Sequence, residues 1–67
     1  MTGQEFRAAI KRLGLTQTSL AKLLRCDRGT IIARCNMETV DVQHRYIMLG
    51  LLAEKAANDL IMAVKAD

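Results

Sequence analysis

The stretch from Leu15 to Arg34, LTQTSLAKLLRCDRGTIIAR, decides the fold. Its first half carries apolar residues at helical spacing, the pattern breaks at residues 25–27, and helical spacing then resumes. Thr16 can cap the first of these helices, and Asp27 can cap the second. The stretch therefore predicts two short helices joined by a tight bend.

Further helices are expected on both sides of this stretch. Thr2 and Glu5 have the spacing of a capping box at the start of a first helix, which Gly14 should end. Asp41 can cap a last helix that continues to about residue 66. We predict an all-α, compact four- to five-helix bundle. The residues of the second helix that are expected to be buried are Leu20, Ala21, Leu23 and Leu24.

Length and composition restrict the class of protein. The 67 residues are too few for a second core, so residues 1–67 are treated as one domain. The amino-terminal segment lacks the apolar core of a signal peptide, and no apolar run approaches the ~20 residues of a membrane span. We expect a cytoplasmic protein whose two cysteines are reduced.

Positive charge is concentrated in one part of the chain. Residues 7–45 contain eight Lys and Arg against three acidic residues, a balance of +5, whereas the remaining residues are slightly acidic. A basic segment of this kind favours a polyanionic partner, although a merely solvated surface is the simpler alternative.

The last segment has a wider apolar band than one core requires. One side of the band can cover the first three helices, and the other side would be exposed in a monomer. We therefore expect residues 42–66 to supply a dimerisation segment. The contacts are assigned to Tyr46, Leu49, Ala53, Ala56, Leu60 and Val64.

Residues 17–34 resemble the helix-turn-helix of phage-repressor (Cro/cI, XRE-type) DNA-binding proteins. That motif has four apolar positions and a small residue where its two helices cross. The matching residues are Leu20, Ala21, Leu24, Cys26 and Ile31. The resemblance extends over roughly residues 2 to 52. It departs at Arg25, where the family usually has glycine, and at Arg34, where an aliphatic or aromatic residue is common.

The resemblance implies that the third helix enters the major groove, where each base pair presents a distinct pattern of donors and acceptors. Arg28 can bind guanine with two hydrogen bonds, the alternative being a contact to a phosphate. Ile32 can contact a thymine methyl group, the alternative being a place in the core. Gly29 and Ala33 would permit close approach. Gln17, at the start of the second helix, would contact a phosphate. Weaker phosphate candidates are Thr16, Lys22, Arg25 and Arg34.

The resemblance further implies a homodimeric repressor, which binds double-stranded DNA at an inverted-repeat operator with half-sites ~34 Å apart. Its target would most simply be its own promoter in a phage or mobile element. Small anti-CRISPR-associated repressors have this compact form, as do some antitoxins. The alternative from another class is an antitoxin-like protein-interaction module on the same scaffold. Neither a cofactor nor a small-molecule effector is expected.

The sequence gives little support for a metal site or a catalytic site. Cys26, Cys35 and His44 lie nine residues apart each time, which is not the spacing of a structural zinc site. We expect Cys26 in the core, Cys35 at the surface and His44 as an ordinary helix-surface residue. With no nucleophile–base pair and no phosphate-binding loop, we expect neither an enzyme nor a substrate-sized cavity.

Overall fold

The computed structural model describes residues 1–66, in which there are four α-helices and no strands. The helices are α1 (Gly3–Arg12), α2 (Gln17–Leu24), α3 (Arg28–Cys35) and α4 (Val42–Ala66). The all-α prediction is confirmed, whereas the helix-turn-helix identity of α2 and α3 stays a prediction. Asp67, part of the predicted domain 1–67, lies outside the described residues.

Local hydrogen bonds set most of the helix boundaries. At the start of α1, Thr2 Oγ1 accepts from the Glu5 N–H at 3.1 Å, and Glu5 Oε1 accepts from the Thr2 N–H at 2.8 Å. Hydrogen bonding to Thr2, through its backbone N–H first and its side chain second, lowers the pKa of Glu5 below its usual value. Gly14 follows α1 with φ 73°, a conformation in which glycine is least strained. Asp27 is the N-cap residue of α3, as predicted, but its side chain makes no capping hydrogen bond.

The core takes one fully buried large side chain from each helix. These four residues are Phe6, Leu20, Ile31 and Met48. The closely packed helix pairs are α2 with α3, α1 with α3, and α1 with α4. The other buried residues are Gly3, Ala9, Ile10, Ala21, Cys35 and Val40. Burial of one side chain per helix makes the whole arrangement depend on all four elements.

Two burial predictions in α2 and α3 are wrong. Leu23 is 55% exposed, because it lies ~160° around α2 from the buried Ala21 at 100° per residue. Cys35, predicted at the surface, is buried on the same face of α3 as Ile31, one turn earlier. Cys26, which was predicted in the core, is half-buried and packs against the core.

The amino terminus is joined to the loop between α3 and α4. The Gly3 N–H donates to the Met37 carbonyl at 2.9 Å, and the Val40 N–H donates to the Met1 carbonyl at 2.8 Å. A side chain at Gly3 would overlap the carbonyl oxygens of Cys35 and Met37. Glycine is therefore required here by close backbone approach.

α4 extends beyond the helices against which it packs. α4 has 25 residues, and the described chain measures 42 × 21 × 17 Å. Met48 is buried and Leu51 and Leu52 are half-buried, whereas residues 56–65 are exposed throughout. The carboxyl-terminal part of α4 therefore projects from the body. None of the helices in residues 1–66 combines the length and apolarity needed to cross a bilayer.

Candidate nucleic-acid interface

The bend between α2 and α3 orients the candidate interface. Thr16 and Ser19 cap α2 reciprocally, with the Ser19 N–H donating to Thr16 Oγ1 at 3.0 Å and the Thr16 N–H donating to Ser19 Oγ at 2.7 Å. Arg25 ends α2 with φ 56° and ψ 45°, in the left-handed region. A non-glycine residue in that region costs about 1 kcal/mol. The strain accompanies a turn that redirects the chain within three residues.

The outward face of α3 contains the four residues expected to meet base edges. Arg28, Gly29 and Ala33 are exposed and Ile32 is half-buried. A Cβ atom built on Gly29 meets no other atom within 4 Å. Within residues 1–66, the Arg28 side chain has neither a hydrogen bond nor a salt bridge. The first turn of α3 is thus free to approach a partner.

Thr16 and Gln17, at the start of α2, already make side-chain contacts within the protein. The Thr16 hydroxyl bonds to both the amide and the hydroxyl of Ser19. The half-buried Gln17 directs Nε2 toward Cys35 Sγ at 3.5 Å, a weak hydrogen bond. The second hydrogen on Nε2 remains available to a phosphate, so Gln17 is the better of these two candidates.

The three basic phosphate candidates differ in their surroundings. Lys22 and Arg25 are exposed. Arg34 is half-buried, and its Nε lies 2.6 Å from Asp41 Oδ1. That contact is an ion pair rather than a well-directed hydrogen bond. Arg34 therefore connects α3 to the start of α4, and we rank it last among the phosphate candidates.

Asp41 is the centre of a small polar cluster. Its Oδ2 accepts from the His44 N–H at 3.2 Å, which caps α4, and lies 2.8 Å from His44 Nδ1. A carboxylate only accepts, so the contact to Asp41 requires the proton on His44 Nδ1, and in that tautomer Nδ1 cannot also accept from Arg34 Nε, 3.4 Å away. The His44 side-chain hydrogen bond is the main cause that lowers the pKa of Asp41 to about 2.

His44 is therefore not the ordinary surface residue that was predicted. Its side chain is only 13% exposed, and its ring meets the Phe6 ring edge-on with centroids 6.4 Å apart. The i, i+3 spacing from Asp41 was visible in the sequence. The sequence did not show that Arg34 from α3 and Phe6 from α1 pack around this Asp41–His44 pair.

Sequence reasoning missed two basic residues beside α2. Arg7 and Lys11, one turn apart on α1, line the same groove as Thr16 and Gln17. This groove of about 1190 Å³ also contains Asn36, whose side-chain oxygen lies 3.4 Å from Arg7 Nη2. The i, i+4 spacing of two cations on an exposed helix face was a signal that could have found them.

The same groove is the feature that bears on the expectation of no substrate-sized cavity. Its volume is sufficient for a small molecule, but it is open to solvent rather than enclosed. Among residues 1–66, no group of three His, Cys, Asp or Glu is placed to hold a metal ion.

The residues assigned to dimerisation lie along one exposed side of α4. Tyr46, Leu60 and Val64 are 64%, 67% and 68% exposed, and Leu49 is 42% exposed. Ala53 and Ala56 between them are exposed as well. The structure thus places all six on the surface of the single chain, where a partner could reach them.

Comparison with known proteins adds no family assignment. No protein-family model matches the chain, and searches of curated proteins and of solved structures found no match.

Proposed function

We propose that this protein is a sequence-specific DNA-binding transcriptional regulator that represses its own promoter. α3 enters the major groove, and a homodimer of the cytoplasmic protein binds an inverted-repeat operator. The proposal draws on the resemblance to phage repressors and requires neither a cofactor nor a catalytic site. Its partners are double-stranded DNA and a second copy of the chain.

The observation that carries the proposal is the free first turn of α3. Arg28 projects from it without a protein partner in residues 1–66, and beside it Gly29 and Ala33 present little bulk. A long bidentate donor flanked by small residues suits the edge of a guanine at the floor of a groove.

The positive charge around α3 also supports DNA as the partner. Lys22 and Arg25 lie exposed on the preceding helix and turn, and Arg7 and Lys11 lie in the groove at the start of α2. These side chains can neutralise phosphates on either side of the bases that are read. Phosphate contacts fix orientation and base contacts supply specificity, so both kinds of residue are needed.

Selection of bound fragments from random duplexes tests the proposal. A dimer that reads one half-site with each α3 should recover an inverted repeat whose half-sites are centred ~34 Å apart. Recovery of fragments with no common sequence would refute sequence-specific reading.

The second candidate is a protein-interaction module, which the exposed apolar side of α4 favours. Salt dependence separates the two. A DNA reader making six or so phosphate contacts should lose ~10³-fold in affinity between 50 and 200 mM salt. A protein that binds no duplex at low salt, yet captures a second protein through α4, would support the alternative instead.

A further inference from the structure

The uncovered side of α4 has the spacing of a helix-pairing seam. Steps of four and three residues alternate along it, which is the seven-residue repeat through which two helices pack along their length. The seam consists of Val42, Tyr46, Leu49, Ala53, Ala56 and Leu60, all exposed. Resting on the dimer of the proposed function, we propose that two copies pair their α4 helices antiparallel, with the twofold axis near Ala53.

The area of the seam reaches the lower limit of specific interfaces. The exposed fractions of its residues correspond to roughly 600 Å² per copy, so a pair that covered the seam completely would remove at most about 1,200 Å² in total. With the axis near Ala53, Tyr46 faces Leu60 of the second copy and Leu49 faces Ala56. The alanines at the centre let the two backbones approach closely.

Charge favours the antiparallel over the parallel arrangement. Arg45 and Asp59 both flank the seam, near opposite ends of it. Parallel pairing would put the two copies of each residue on opposite sides of the seam, where no opposite charge lies beside them. Antiparallel pairing brings Arg45 within about one turn of Asp59 of the second copy, so the flanking charges attract.

This arrangement also sets the distance between the two DNA-reading helices. An axis at Ala53 separates the two Val42 residues by 22 helical residues, ~33 Å along α4 at 1.5 Å per residue. The Arg34–Asp41 ion pair holds the end of α3 at the same end of α4. Measured along α4, the carboxyl ends of the two α3 helices thus lie about one DNA turn apart, the separation of adjacent half-sites.

Oxidative cross-linking of variants with cysteines introduced along the seam, without DNA, tests the pairing. Ala53→Cys lies at the axis and should give covalent dimers well above the wild type, whose native thiols set the background. Tyr46→Cys alone and Leu60→Cys alone should stay at background, because each is ~20 Å from its own copy. The double variant Tyr46→Cys/Leu60→Cys should cross-link.

Two outcomes would overturn the inference. Efficient dimers from Tyr46→Cys alone would establish parallel pairing, and background yields from every variant, with a monomer in sedimentation, would exclude pairing through α4. Both are independent of DNA binding. A monomer that still selects a DNA sequence would support the proposed DNA binding and refute this dimer. A cross-linked dimer that does not bind DNA would support this dimer and refute the proposed DNA binding.

Discussion

Replacement of Arg28 with alanine tests the reading of bases by α3 most directly. The side chain is exposed and has no hydrogen bond or salt bridge within residues 1–66, so its loss should leave the free energy of unfolding within ~0.5 kcal/mol. A bidentate contact to guanine contributes about 1–3 kcal/mol of discrimination. Affinity should therefore fall ~5- to 150-fold for each half-site of the selected operator, and preference should relax at one base pair of each half-site.

The assay is a titration of labelled operator by fluorescence anisotropy, with a duplex changed at one base pair as competitor. Arg28→Lys keeps the charge but loses the paired donors, so it should behave like alanine toward base preference. Arg12→Ala is the matched control, since it removes the same charge at the far end of α1, beside α4.

Three results would separate the roles of Arg28. Loss of preference with both variants supports base contact. Equal weakening on all duplexes, largely restored by lysine, would show that Arg28 only contacts a phosphate. Unchanged affinity and preference would refute a role for Arg28 in DNA reading.

Three further predictions concern stability and assembly. Gly3→Ala should lower the free energy of unfolding by ~1–3 kcal/mol in urea titrations, because the new Cβ overlaps backbone carbonyl oxygens, whereas Gly29→Ala should not lower it; equal effects would contradict this account. The pKa of Asp41 is lowered in the folded state, so the unfolded chain binds more protons and stability falls as pH drops from about 4 to about 2. The difference in unfolding free energy between the wild type and Asp41→Asn should shrink over that range, and a constant difference would argue against the cluster. Leu60→Glu should raise the dimer dissociation constant at least ~10-fold in sedimentation, since it places a charge in the seam, while Asn58→Glu should not; an intact Leu60→Glu dimer would count against the seam.

Local sequence signals were sufficient for the helices and their ends. The capping box at Thr2 and Glu5, the stop at Gly14 and the break at Arg25 each depend on residues within one turn, so they could be predicted without a fold. The outward positions of Arg28 and Gly29 followed from helical spacing once the buried side of α3 was known.

The tertiary structure decided what depends on neighbours far apart in the chain. His44 lies in a polar cluster because Arg34 and Phe6 arrive from other helices, and Cys35 is buried because α1 and the chain before it cover the end of α3. Arg7 and Lys11 join the start of α2 in one groove for the same reason. Periodicity tells which side chains share a face of one helix, but only packing determines which helix covers that face and which faces, such as the seam of α4, are left open to water.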